Sequence, residues 1–331
     1  MITGDKDDDT GPGSSIKLLD YEPTAGDFLE EALAGLRKPQ KTLPCKFFYD
    51  ERGSKLFDRI CELDEYYLTR TEIAIMNEYA GEMAEAIGPD SLIVEYGSGS
   101  ATKTRILLEH LESPAGCVLV DISREHLLRV ATEMAGDFPE IEILPVCANF
   151  TEPFGLPDPA RPAARAVGYF PGSTIGNFGP EEAKALLRNL AEVCGEGGGL
   201  LIGADLKKDA RLLEAAYDDS GGVTAEFNLN LLRRMNRELG ADFEVDRFRF
   251  RSFYNEEEGR VESYLVSRSE QTVRVGGEAF RFEEGETIHT ENSHKYTLGG
   301  FATLAAESGF RVERVWMDEN KMFSVQFLSV A

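Results

Sequence analysis

The chain has 331 residues, 42% of them hydrophobic, which is enough for one large domain or two ordinary ones with a true core and excludes a disordered polymer. Lys and Arg number 35 against 59 Asp and Glu, a formal charge of -24 that repels phosphate backbones and argues against a nucleic-acid partner. No apolar run of about 18 residues and no apolar leader before a cleavage site is present, and Cys45, Cys61, Cys117, Cys147 and Cys194 form no CxxC pair, so the chain reads as a cytoplasmic monomer with reduced thiols and no membrane contact.

Residues 1–15, rich in Asp, Gly and Ser, have little to bury and read as a disordered tail. Asp27 to Gly35 has helical spacing. The stretch KFFYDERGSKLFDRICELDEYYLTRTE, from Lys46 to Glu72, interleaves aromatics with charges. A long helix is expected from about Arg70 to Ile87, with Ile73, Ile75, Met76, Tyr79, Met83 and Ile87 on one broad face. From Ser91 onward the pattern alternates. SLIVEYG, CVLVDIS, IEILPVCANF, AVGYF and GLLIGADL are short apolar strands, and KTRILLEHL, REHLLRVATEMAGDF and PEEAKALLRNLAEVCG are amphipathic helices between them. Such alternation predicts a doubly wound parallel sheet.

After Leu206 the pattern changes. Two helical segments, Asp209 to Tyr217 and Thr224 to Leu239, precede β-patterned segments between Arg247 and Glu291, with turns at Glu258-Gly259 and Gly276-Gly277. A helix from Leu298 to Ser308 and two strands, RVERVWM and MFSVQFLSV, then close a seven-stranded sheet. The fold class is therefore α/β, Rossmann-like, with a second α+β lobe. Residues 71–207 plus 298–331 form the sheet domain, and 16–70 plus 208–297 form the second lobe.

Chemistry concentrates at the strand C-termini. Glu95-Tyr96-Gly97-Ser98-Gly99 turns the first strand into a helix, and its glycines permit a tight turn and close approach to a ligand. Thr102 stands where a dinucleotide fingerprint has its third glycine, which disfavours a nicotinamide dehydrogenase. Glu95 before the glycines suits S-adenosylmethionine (SAM). Asp121 ends the second strand, where a carboxylate can accept both hydroxyls of a ribose, and Asn149-Phe150 ends the third, within reach of an adenine. The fourth strand leaves through YFPGSTIGNF, which suits the neighbourhood of a reactive methyl. From the residues alone, Asn177 reads equally as a ligand amide or as a helix cap before Pro180.

Taken whole, the chain resembles the histidine-specific Nα-methyltransferases of ergothioneine biosynthesis, from about residue 25 to the C-terminus. The resemblance rests on KFFYDERGSKLFDRICELDEYYLTRTE, VEYGSGSATKT, GSTIGN, AYDDSGGVTAEFNLN with NRELGADF, and TENSHKY. It implies a class I methyltransferase with SAM as donor, L-histidine held between two lobes, and Nα,Nα,Nα-trimethylhistidine as product. It further implies that Tyr66, Asn177 and Tyr217 bind the substrate carboxylate, that Tyr49 lies near the α-amine, and that Glu291 and Ser293 recognise the imidazole. For SAM it implies Gly97, Lys103, Asp121, Asn149 and Phe150.

Two positions depart from the family pattern. Asn149 stands where an Asp is common, and keeps a carbonyl acceptor while losing the charge. Ser263 stands where a methionine is expected to line the imidazole pocket, and a smaller polar residue loosens ring selection. The reaction is an in-line attack of a neutral amine on a sulfonium methyl, so the site must align a deprotonated amine. With a phenol pKa of about 10, Tyr49 orients the amine, and aromatic faces favour the growing ammonium. His289 and His294 lack further ligands at metal spacing, so no metal is expected. The rival readings are a family member acting on an aromatic amino acid, which Ser263 keeps open, and a non-catalytic SAM-binding regulator.

Overall fold

The computed structural model describes residues 17–21, 25–152 and 154–331. The expected tail, residues 1–15, lies outside them. The chain opens with strand β1 (Leu19–Asp20), helix α1 (Ala25–Leu36), strand β2 (Lys41–Thr42), and helices α2 (Glu51–Cys61) and α3 (Tyr67–Ile87). The alternating region follows as β3 (Ser91–Tyr96), α4 (Thr102–Leu108), β4 (Gly116–Asp121), α5 (Arg124–Asp137), β5 (Ile143–Cys147), β6 (Arg165–Phe170), α6 (Pro180–Cys194) and β7 (Gly199–Asp205). Then come α7 (Ala210–Tyr217), α8 (Val223–Leu239), β8 (Phe248–Asn255), β9 (Arg260–Ser267), β10 (Gln271–Val275), β11 (Glu278–Phe282) and β12 (Thr287–His294). Helix α9 (Leu298–Ala306) and strands β13 (Phe310–Met317) and β14 (Phe323–Val330) complete the chain.

The large sheet runs β1-β5-β4-β3-β6-β7-β14-β13. All seven expected strands are in it, running in one direction except β14, which pairs antiparallel with β7 on one side and β13 on the other. An eighth strand, β1, adds parallel to the edge of β5, with Leu19 opposite Val146. The strand order reverses at β3, so the crevice between the C-termini of β3 and β6 is a topological switch point, where ligands bind in open α/β sheets.

The strands are apolar throughout because both faces are covered. Successive side chains alternate: Ile93 and Leu119 face the cluster that includes Met76 and Met83 of α3, while Val94 and Val118 face Leu187 and Leu190 of α6 and Phe301 of α9. Tyr169 donates its hydroxyl to the sulfur of Met76 at 3.0 Å, which satisfies the one polar atom it carries into the core.

A second sheet, β2-β12-β9-β8, takes β8, β9 and β12 from the segment after α7 and α8, which also forms the β10–β11 hairpin, and β2 from near the start of the chain. The two sheets meet where β7 ends. Leu206 bridges Tyr296 in parallel, and the Tyr296 N–H donates to the Asp205 carbonyl at 2.9 Å. The C-terminal ends of β7 and β12 are thereby fixed side by side, and the site is built around this seam.

Candidate active site

Three local devices bring the substrate-side residues together. Asp50 caps α2, accepting from the Gly53 N–H at 2.7 Å, and it also takes Asn230 at 2.8 Å and Arg237 at 2.6 Å. The FFYD turn is thereby bound to α8, and the ring of Tyr49 sits edge-on to Phe57 and Phe227, with centroids 5.7 Å from each. Tyr66 stands at the N-terminus of α3, edge-on to Tyr217 at 6.0 Å.

The second device is a β-bulge. The register of β12 on β9 shifts between His289, opposite Tyr264, and Glu291, opposite Ser263. The extra residue, Thr290, donates to Asn228 at 2.8 Å and to the Ser263 carbonyl at 3.1 Å. A bulge of this kind re-aims the side chains beyond it, here Glu291 and Ser293, two residues apart on one face.

The third is the loop after β6. Thr174–Asn177 form one 3-10 turn, and a Cβ on Gly176 would lie 2.7 Å from the carbonyl oxygen and 3.1 Å from the nitrogen of His294. Only glycine allows the turn to lie flat on the β12 backbone. Tyr49, Tyr66, Asn177, Tyr217, Glu291 and Ser293 line one cavity, together with Phe57, Thr224 and Phe227.

Burial sets the protonation states. Tyr49, Tyr66 and Tyr217 are all raised above the usual phenol value, chiefly by burial, and are neutral hydroxyls at physiological pH. Burial pushes Glu291 up to about 7, against the pull of Lys295. Ser263 is 1% exposed and lies directly across from Glu291 in the sheet, beside it rather than among the residues that face the cavity.

On the other side of the switch point, Gly97 and Gly99 have φ of +76° and +46°, and a Cβ on Gly97 would touch the ring of Phe150 at 4.0 Å. Asp121 accepts from the N–H groups of Ser123 at 2.9 Å and Gly99 at 3.3 Å. Burial raises its pKa, and those N–H bonds oppose the rise. Glu95 keeps one buried carboxylate oxygen without a partner, as Ser98 keeps its hydroxyl, and burial raises Glu95 to about 8. Buried polar atoms left unpartnered along a glycine loop fit a ligand that carries its own donors. Asn149 is held in a local turn, its carbonyl oxygen accepting the Thr151 hydroxyl at 2.7 Å and its amide donating to Glu152 at 2.7 Å. Lys103 does not stand alone: its ammonium meets Glu72 at 2.5 Å, and the same carboxylate accepts the Gly172 N–H.

Sequence reasoning missed Glu72, Asp205 and Lys295. Glu72 had a visible signal, because it lies one turn before Met76 on the apolar face of α3, where an acid needs a buried partner. Asp205 and Lys295 are wholly or nearly wholly buried charges at strand ends, and no local pattern sets them apart from the chain's many surface charges. Among the described residues no group of His, Cys, Asp and Glu could hold a metal ion.

The strand order, the glycine turn at the end of β3 and the acid at the end of β4 define a class I SAM-dependent methyltransferase. A family model described as histidine-specific methyltransferase, SAM-dependent, matches residues 28–330, and the chain belongs to that family. It is 42% identical over 294 residues to the histidine N-alpha-methyltransferase of Mycobacterium tuberculosis, covering 87% of this chain and 90% of that protein. It is 40% identical over 315 residues to the protein of the same name from Mycolicibacterium smegmatis, covering 92% of this chain and 96% of that one. Ergothioneine biosynthesis protein 1 of Neurospora crassa is 30% identical over 319 residues, which span 93% of this chain and 36% of that longer protein.

Proposed function

We propose that the protein methylates the α-amine of L-histidine three times, giving Nα,Nα,Nα-trimethylhistidine (hercynine) in ergothioneine biosynthesis. Membership of the histidine-specific family over nearly the whole chain supports this reading. The observation that carries it at the level of residues is the cavity itself. It brings one carboxylate whose pKa burial raises, Glu291, together with Ser293, three neutral tyrosines and Asn177.

SAM, when bound, supplies an electrophilic methyl on a sulfonium. Gly97 would leave room for it, Asp121 would accept ribose hydroxyls, Asn149 and Phe150 would hold the adenine, and Lys103 would meet the methionyl carboxylate. The rest is done by this chain's side chains. Tyr66, Asn177 and Tyr217 hold the substrate carboxylate. Tyr49, too weak an acid to serve as a base at neutral pH, accepts from the amine and fixes its lone pair, so that proton loss goes to water. The rings of Tyr49, Phe57 and Phe227 face a nitrogen that loses N–H donors with each methylation, and cation–π attraction of roughly 0.5–2 kcal/mol replaces part of what is lost. Glu291 meets one imidazole nitrogen and Ser293 accepts from the other, a pair of buried polar contacts that reject side chains unable to match them.

We assign residues 71–207 plus 298–331 to SAM and 16–70 plus 208–297 to the substrate, except that β1 belongs with the large sheet it extends. We read the protein as a cytoplasmic monomer; its five free cysteines support a reducing compartment, and its acidic composition supports the reading that nucleic acid is not a partner. Among the described residues no helix is long and apolar enough to cross a membrane. Calorimetry on Glu291→Ala tests the substrate assignment: histidine affinity falls at least tenfold while SAM affinity holds. Unchanged histidine affinity overturns it.

A further inference from the structure

Among the described residues the lining of the substrate cavity contains no Lys, Arg or His, and its one carboxylic acid, Glu291, is an anion when charged. A free amino acid brings a carboxylate into this space. Neutral hydroxyls and an amide solvate a carboxylate but do not balance its charge, and a buried charge without a counterion is costly.

Two cations lie behind the wall: Lys103, close to Gly172 but paired with Glu72, and the wholly buried Lys295. Lys295 has a fully buried side chain, and its ammonium has three protons and three acceptors: Asp205 at 2.8 Å, the Tyr217 hydroxyl at 2.9 Å and the Ser293 hydroxyl at 2.8 Å. Burial alone would lower the Lys295 pKa, but Asp205, Tyr217 and their hydrogen bonds together raise it to about 12, so it is charged throughout the physiological range. Asp205 is held in turn by Tyr67 at 2.7 Å and Lys208 at 2.6 Å, and its N–H donates to Ser173 at 2.9 Å. Two lysines on one carboxylate leave this buried cluster with an excess of positive charge whenever Lys208 is protonated. Burial brings Lys208 down to about 8 against the pull of Asp205.

The hydrogen count restricts what the cavity wall can offer. Tyr217 and Ser293 both accept from Lys295, and their hydroxyls are 2.7 Å apart, so one donates to the other. Two hydroxyl protons minus the one shared between them leaves a single proton for the cavity. Because Lys295 polarises both oxygens, that proton is a strengthened donor.

We propose that Lys295, fixed by Asp205, is the positioning residue that supplies the countercharge for the substrate carboxylate, delivered through the Tyr217 hydroxyl. This rests on the reading of Tyr217 as a carboxylate ligand. Tyr66 and Tyr67, adjacent in sequence, then serve the two ends of one device: Tyr66 lines the cavity and Tyr67 holds Asp205. The site therefore distinguishes a free amino acid from its amide or from a histidine within a peptide by charge, not only by space.

The test compares L-histidine with L-histidinamide, which has the same ring and amine and no carboxylate, on the full-length protein with SAM. The parent enzyme favours histidine in kcat/KM. In Lys295→Met, kcat/KM for histidine falls about 30-fold or more, the scale of unpairing a buried charge, chiefly through KM, while the value for histidinamide changes less than about threefold. Calorimetry shows SAM binding unchanged. Asp205→Asn with Lys295→Met removes the pair as a neutral unit, and loses the same preference even if the single variant folds poorly. Equal losses on both substrates, in whichever variant folds, make Lys295 a merely structural residue and overturn the proposal. A parent enzyme that methylates neither compound would contradict the histidine reading itself, a different failure.

Discussion

Glu72 accepts the Gly172 N–H through both of its carboxylate oxygens, at 2.9 and 3.1 Å, from a fully buried position on α3. The same carboxylate meets the Lys103 ammonium at 2.5 Å. Space for it exists because Gly203 has no side chain; a Cβ there would lie 2.4 Å from a Glu72 oxygen. One buried acid thus ties the helix after the glycine loop to the loop after β6, and links the cofactor side of the crevice to the substrate side.

Glu72→Ala should therefore lose about 3–5 kcal/mol of stability, the cost of removing one partner from a buried, hydrogen-bonded pair. Glu72→Gln keeps an acceptor for Gly172 and should lose less, yet weaken SAM binding by freeing Lys103. Denaturant unfolding and calorimetry check both. Equal stability in all three proteins would show that the clamp contributes nothing to the fold.

Gly176→Ala should damage substrate turnover without touching the cofactor side. The added methyl would meet the His294 backbone, which no rotamer change can move aside. Overpacking of this kind costs about 1–3 kcal/mol. It would displace Asn177 from β12, so kcat/KM for histidine should fall roughly 5- to 150-fold with SAM affinity nearly constant. Steady-state kinetics with a SAM titration measures both.

The protonation of Glu291 gives a stability prediction whose sign is fixed. Burial raises its pKa in the folded state to about 7, above the ordinary carboxylate value. Its contribution to stability is therefore complete below the unfolded-state value and is lost as pH climbs to about 7. Glu291→Gln removes that loss. The variant should melt with the parent near pH 4 and above it at pH 8, while binding histidine more weakly. Melting curves at the two pH values decide the matter; an equal offset at both would mean that the carboxylate is not held neutral by burial.

Asn177→Ala should lose turnover while SAM binds as before, because the amide faces the substrate cavity and not the glycine loop. Calorimetry and product formation separate the two. A stable and fully active variant would leave Asn177 a turn former.

Much of this could be read in the sequence because apolar strands and glycine turns are local signals. SLIVEYG, CVLVDIS and GLLIGADL became β3, β4 and β7, whereas the seat of Gly176 on the β12 backbone was not legible, because it depends on a strand more than a hundred residues away. Strand β1 escaped because two residues carry no periodicity. The bulge at Thr290 escaped because a register shift depends on the partner strand. Lys295 and Asp205 escaped for the same reason: a buried ion pair between residues ninety positions apart has no local pattern, and each charge alone looks like surface.

The most direct test of the central claim is to incubate the purified protein with SAM and each of the twenty amino acids separately, and to weigh the products by mass spectrometry. Three added methyls on histidine and none on the others are expected. Methylation of a different amino acid would contradict the substrate assignment and make Ser263 the first residue to exchange, and SAM binding without any product would contradict the enzymatic reading altogether.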